Sequence, residues 1–228
     1  MKSWWKKRFD SRFYALLVRL VGSLWFLFLA TLYARGCIGT IRWMQVHPRT
    51  FVAWAGALSG GSMFVFCLTV SFLLWVRPSP RAHASGILPG AIAFSATYLP
   101  WLLLLFPRVR VTPLLAGISA LAALLAGATL VLSLLYLGRS FSIVPQARRL
   151  VTSGPYAIVR HPLYLAEELA IAGVFLQYAA PLLVLPLLLL HLILQIQRIR
   201  YEEGVLQRVF PEYESYAKRT ARLLPGVW

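Results

Sequence analysis

Acidic residues are scarce in this sequence: Asp and Glu together number 7, against 23 Lys and Arg. A basic excess of that size can signal nucleic-acid binding. Here, however, the basic residues stand in short segments between apolar runs, which is the charge pattern of membrane proteins and argues against nucleic acid as a partner. Charge of either sign is thin, at 13% of residues, about half of what a soluble domain carries. Cysteine is nearly absent. Cys37 falls in an expected loop and Cys67 in an apolar stretch, a pair that supports neither a disulfide framework nor a metal site. There is no G-x-G-x-x-G fingerprint, no internal repeat and no low-complexity linker.

What fills the chain instead is apolar. Hydrophobic residues make up 59% of the 228, and the mean hydropathy is +0.70. Soluble domains run at about 45–50% apolar, so a soluble fold of this length would have to show much of that surface to water, whereas a bilayer removes the problem. A spanning helix needs about 20 mostly apolar residues. Four stretches reach that length: Phe13 to Ala34, Phe51 to Val76, Leu88 to Phe106 and Thr112 to Leu137. A fifth apolar region, Leu163 to Leu194, is too long for one span and is interrupted by Pro181 and Pro186. Proline removes a backbone donor and clashes with the preceding turn, so the region predicts a helical hairpin that bends near Tyr178–Pro181. The expected fold is therefore all-α, a polytopic membrane helix bundle of about five to six transmembrane segments.

The first segment follows Lys2, Lys6, Lys7 and Arg8, as a signal peptide would. Its apolar run is longer than a secretory core and no clear cleavage site follows, so it is expected to be a retained helix. Arg19 lies within it, either snorkelling or facing the protein interior. With the N-terminus in the cytoplasm, the inside segments hold the N-terminal basic group, Arg77, Arg81, Arg139, Arg148, Arg149, Arg160 and the basic tail. The outside holds only Arg35, Arg42, Arg49, Arg108 and Arg110. The asymmetry places both termini in the cytoplasm and the chain in the cytoplasmic (inner) membrane.

The character of the sequence changes near Gly138. Residues 1–137 read as four plain membrane helices. Residues 138–228 are denser in polar groups and read as the functional part of one membrane domain: a loop, the hairpin and a cytoplasmic tail. The informative stretch runs from Arg148 to Tyr164. Ser153-Gly154-Pro155 is turn chemistry. Arg160-His161 precedes Pro162, and proline is favoured in the first turn of a helix. That helix therefore begins beside a His, an Arg and two tyrosines, with free N–H groups that suit an anionic ligand. Read alone, the stretch fits a basic loop touching lipid headgroups equally well. A second cluster follows the last apolar run: Arg198, Arg200, Glu202 and Glu203. Arg198 and Glu202 are four apart and share a helical face, either as an exposed ion pair or as two groups facing a pocket.

The ordered set G-P-Y, R-H-P-x-Y, a proline-broken apolar hairpin, E-E, then F-P-E-Y-x-x-Y and a basic end resembles the isoprenylcysteine carboxyl methyltransferase and phospholipid methyltransferase group of integral membrane enzymes. The resemblance covers Gly138 to the C-terminus. It implies a cytoplasmic pocket for S-adenosylmethionine, with Gln146, Leu150, Val151, Tyr156, His161, Pro162, Leu163, Tyr164 and Glu202 as cofactor-binding residues. It implies that Arg198, one turn before Glu202, faces the substrate and serves catalysis. The sequence departs from the family pattern at Ala166, where Gly is common, and at Arg148, where eukaryotic members carry His.

The implied reaction is methyl transfer from S-adenosylmethionine to a lipophilic acceptor, a small molecule or a lipidated substrate: an isoprenylcysteine-like carboxylate, a lipid amine or a thiol. Membrane lipids are the expected surroundings. Two other readings stay open at this point: a membrane NADPH-dependent reductase with sterol-reductase-like architecture, and a non-catalytic membrane protein.

Overall fold

A computed structural model describes residues 12–106, 109, 111–176 and 181–226. Its architecture is the expected all-α membrane bundle. Helix α1 spans Arg12–Val46 and α2 spans Phe51–Val76. Helix α3 spans Leu88–Tyr98 and passes into a 3₁₀ segment, Leu99–Leu105. Helix α4 spans Pro113–Leu137, α5 Pro162–Phe175, α6 Pro181–Val209 and α7 Tyr213–Arg219. Local chemistry sets several of these starts. Thr50 and Thr112 cap α2 and α4 by accepting from Ala53 N and Leu115 N, each satisfying one of the free donors of a first turn. Pro113 and Pro162 occupy first-turn positions, where a missing N–H costs nothing.

Among the described residues, four helical stretches are long and apolar enough to cross a membrane: Arg19–Val46, Phe51–Val76, Pro113–Ser140 and Val184–Val209. Two expectations need correction. The first helix does not stop near Ala34 but runs to Val46, so Cys37 lies in a helix rather than a loop, with its Sγ 3.4 Å from Ala57 O. The third segment is not one α-helix. Pro100 interrupts it, and the chain tightens to 3₁₀ geometry from Leu99. At about 1.5 Å per α residue and 2.0 Å per 3₁₀ residue, the two parts together still rise roughly 30 Å, a bilayer's hydrocarbon thickness. The hairpin has two unequal arms. Helix α5 has 14 residues and rises only about 21 Å, whereas α6 has 29 and carries Pro186 within it. The expected bend at Tyr178–Pro181 falls mostly outside the described residues.

Packing runs α1 on α2, α2 on α4, α4 on α5, then α5 on α6 and α6 on α3. Trp25 of α1 meets Tyr98 of α3 edge-on at 5.7 Å. Small residues allow the close approaches, as expected where lipid gives no hydrophobic drive for helix association. Ser23 and Ser71 exchange hydrogen bonds between α1 and α2, each hydroxyl donating to the other's carbonyl. A Cβ on Gly127 would lie 2.0 Å from Ser62 Oγ, and one on Gly173 would lie 2.8 Å from the Ala122 Cβ.

Arg19 is neither adrift in lipid nor inside the core. It donates to Trp75 O and Arg77 O at the end of α2, and Arg139 donates to Val76 O there. Guanidinium groups suit a helix C-terminus, whose last carbonyls lack partners and carry partial negative charge. This contact sets the start of α1 beside the end of α2. The end of α4, the start of α5 and the end of α6 share that side, and the candidate site lies among them. A two-residue antiparallel ladder there, Ala82 with Ala147 and His83 with Gln146, was not expected from the sequence. It ties the α2–α3 loop to the wall of the site.

Candidate functional site

The wall begins where α4 ends. Gln146 accepts at Oε1 from Ser142 Oγ at 3.0 Å and from Arg148 Nη2 at 2.7 Å. Arg148 also donates from Nε to Pro78 O, and its Nη1 is buried with no hydrogen-bond partner. Burial first, and then the nearby Arg77 and Arg19 cations, lowers the Arg148 pKa to about 10. It stays protonated at neutral pH, but in a place short of negative charge.

The turn that follows depends on Gly154. Its φ is +60°, and a Cβ there would lie 2.3 Å from the Tyr136 ring, so glycine answers both constraints. The short 3₁₀ turn Gly154–Ala157 then presents Tyr156, which is buried. Burial, and secondly the charge of Glu202, raises the Tyr156 pKa and keeps its hydroxyl protonated as a donor. Tyr216 of α7 donates to Tyr156 O at 2.6 Å and holds the tail against this turn.

His161 precedes α5 and is 5% exposed. Its ring stacks on Tyr164, with centroids 5.4 Å apart and planes 8° from parallel. Tyr164 donates to Glu202 Oε2 at 2.5 Å, and the Arg198 guanidinium lies 4.5 Å from the Tyr164 ring centre. One tyrosine therefore touches three groups that the sequence singled out, two of them on α6.

The six residues Gln146, Leu150, Val151, Tyr156, His161 and Glu202 line one cleft, together with Leu206, Tyr213 and Tyr216. Pro162 and Leu163 stand behind it as the buried first turn of α5. Tyr164 joins it through Glu202. Arg198 does not line it, and its ion-pair partner is not Glu202 but Glu167, whose Oε2 is 3.7 Å from Arg198 Nη1. Arg198 Nη2 donates to Ile143 O at 2.9 Å. The free space among the cleft residues is about 40 Å³, enough for a few waters. A larger depression of about 480 Å³ lies at the other end of α1 and α2, lined by Gly36, Thr40 and Trp43 among others. It holds none of the chemistry described above.

Sequence reasoning passed over the role of Glu203. It is 3% exposed and binds Arg160 Nε at 2.7 Å and Arg222 Nε at 2.9 Å, with His161 Nε2 at 3.4 Å. Arg160 also donates to Ala217 O and Thr220 O. Main-chain bonds from Arg160 N to Ala221 O and from His161 N to Arg222 O complete a clamp. The adjacent glutamates thus divide: Glu202 faces the cleft, and Glu203 fastens the C-terminal tail over the R-H-P turn. Glu167, Glu168, His191 and Gln195 were also unassigned. A signal for the two on α6 was present, since His191, Gln195, Arg198 and Glu202 recur at intervals of four, three and four and so share one face of the helix.

Residues 108–213 match the phospholipid methyltransferase family model. Among curated proteins, the chain is 36% identical over 80 residues to the nickel-cobalt-cadmium resistance protein NccN of Alcaligenes xylosoxydans xylosoxydans. That stretch is 35% of this chain and 38% of the relative. It is 38% identical over 76 residues to the cobalt-zinc-cadmium resistance protein CzcN of Cupriavidus metallidurans, which is 33% of this chain and 35% of the relative. The chain thus spans little more than a third of the curated relatives it matches. The long apolar helices mark an integral membrane protein. The matched segment, residues 108–213, contains every candidate site residue, and the family it matches is in the isoprenylcysteine and phospholipid methyltransferase group that the motifs resemble.

Proposed function

We propose that this protein transfers a methyl group from S-adenosylmethionine to a lipophilic acceptor at the cytoplasmic face of the inner membrane, with both termini in the cytoplasm. The observation that carries the reading is the Tyr164–Glu202 hydrogen bond of 2.5 Å. It joins the loop-and-turn half of the cleft to α6 across a long stretch of sequence. It also fixes a carboxylate in the cleft that Leu150, Val151, Tyr156 and His161 line.

The donor set fits the cofactor. The buried, unpartnered Arg148 Nη1 suits the carboxylate of its amino-acid end, and Glu202 suits the ammonium or a ribose hydroxyl. Leu150, Val151 and Leu206 offer apolar surface to the base. The cleft is narrow as it stands, about 40 Å³, so cofactor entry requires its lining groups to move apart. When bound, the cofactor supplies an activated methyl carbon for in-line displacement. The protein's own contribution is position and electrostatics. Tyr164, fixed by His161, Glu202 and Arg198, holds the boundary between the cleft and the membrane interior. Holding nucleophile and carbon in line contributes several kcal/mol, on the order of 7 or more in well-oriented systems.

The test has two parts. Titration of the purified protein with S-adenosylhomocysteine and with NADPH should give thermal stabilisation by the first alone. Incubation of membranes with methyl-labelled cofactor should then place label in a lipid or protein fraction. Stabilisation by NADPH, with no label transferred, would overturn the reading in favour of a reductase.

A further inference from the structure

On the membrane side of Tyr164 the facing surfaces of α5 and α6 carry polar groups, which lipid-embedded helices keep only where they serve a purpose. Gln195 Nε2 donates to Glu167 Oε2 at 2.6 Å, the oxygen that also faces Arg198. The Arg198 charge is thereby matched before any substrate arrives. Glu202 adds further negative charge nearby. An anionic acceptor brought to Arg198 would meet these carboxylates.

One turn deeper stands His191, 2% exposed. Its setting follows from the proline in α3. Pro100 has no N–H, so the carbonyl of Ala96, four residues earlier, lacks its helical donor. His191 Nε2 lies 3.1 Å from that oxygen. A carbonyl can only accept, so Nε2 carries the hydrogen. In the neutral ring Nδ1 is then a lone pair, and it faces Glu168 Oε1 at 3.1 Å. The ring and carboxylate are not aligned as a hydrogen bond, and both atoms are buried without a partner. Two acceptors so placed are short of one proton. The Glu168 side chain is 23% exposed, so the pair is open on one side.

We propose that Glu168 and His191 are the proton sink of the transfer, and that the methyl acceptor is a protic group, N–H, O–H or S–H, rather than a carboxylate. This rests on the methyl-transfer reading given above. In the step, the acceptor heteroatom bonds to the methyl carbon and the carbon–sulfur bond breaks with its electron pair going to sulfur. The acceptor's proton ends between Nδ1 and Oε1. The positive charge lost from the sulfonium reappears on the imidazole, beside the Glu168 carboxylate. Seven residues separate His191 from Arg198 along α6, about 10 Å. Glu167 and Gln195 line that distance, which gives a proton released beside Arg198 a polar path to the pair.

The experiment uses the full-length protein in vesicles of host lipid extract, with cofactor labelled in its methyl group. Labelled product is treated with mild base. Methyl esters release volatile methanol, whereas methylated nitrogen, sulfur or ether oxygen keeps the label. The expected result is a base-stable product. Glu168→Gln and His191→Gln should each lower kcat tenfold or more, with KM for the cofactor and S-adenosylhomocysteine affinity within twofold of the parent. Base-released methanol from the parent protein would overturn the proposal without touching the transferase reading, and needs no variant to fold. Full kcat in both variants would overturn it as well. Absence of label from every fraction would instead sink the transferase reading, and the proton sink with it.

Discussion

Glu202 and Glu203 are neighbours in sequence with different duties, and the difference can be measured. Glu203→Gln removes the charge that balances Arg160 and Arg222. Breaking a buried ion pair by deleting one partner costs about 3–5 kcal/mol. Here the lower end applies, because the Arg222 side chain is 32% exposed and Arg160 keeps two carbonyl acceptors. A loss of about 3 kcal/mol in a chain of this size corresponds to a fall in Tm of roughly 6–12 °C. Glu202→Gln leaves an oxygen that still accepts from Tyr164, so its Tm should move by no more than about 2–4 °C. Its cost falls on the cofactor. A hydrogen bond to a charged group contributes about 1.5–3 kcal/mol, so S-adenosylhomocysteine affinity should fall about tenfold or more. The assays are thermal unfolding in a single detergent and calorimetric titration well below Tm. The division of roles is refuted if Glu202→Gln destabilises as much as Glu203→Gln. It is equally refuted if Glu203→Gln weakens cofactor binding tenfold while leaving Tm unchanged.

Arg198→Lys keeps a charge but loses the planar fork that spans Glu167, Ile143 O and the Tyr164 ring; cofactor binding should stay near normal while turnover in the labelled-methyl assay falls about tenfold or more. Arg148→Ala should weaken S-adenosylhomocysteine by about tenfold, and S-adenosyl compounds lacking the carboxylate should not distinguish the variant from the parent in calorimetry. Gly127→Val should destabilise by about 1–3 kcal/mol through overpacking against Ser62, visible as a lowered Tm. Reporter fusions at the C-terminus and near His47 should give opposite readings, since α1 returns to the site's side of the bundle only through α2; a C-terminal fusion active outside the membrane would overturn the orientation.

Much of the bundle was legible because hydrocarbon imposes one simple demand, a long run of apolar residues with every backbone group satisfied internally. The runs at α2 and α4 therefore match their helices to within a residue or two. Where the run stopped being the deciding quantity, the reading slipped. The helix α1 continues past Ala34 through Arg35 and Arg42, because a helix leaving the membrane needs backbone bonds and a partner, not apolar side chains. Leu88 to Phe106 is uncharged throughout, yet Pro100 imposes a change of helix type that hydropathy does not register.

The candidate site divides along the same line. The R-H-P-x-Y stretch was readable because turn residues and a first-turn proline act locally. What it packs against was not. Adjacent residues on a helix point about 100° apart, so two glutamates in succession must serve different neighbours. Nothing in the letters says which one meets Tyr164 and which meets Arg160 and Arg222. His191 is a sharper instance. Its periodicity with Gln195, Arg198 and Glu202 marks a polar face on α6, and that much the sequence holds. Its proton inventory depends on Ala96 O, which is free only because of Pro100 and within reach only because α3 packs on α6. A donor missing from one helix is supplied by a side chain on another, and that substitution fixes which imidazole nitrogen is left to take a proton.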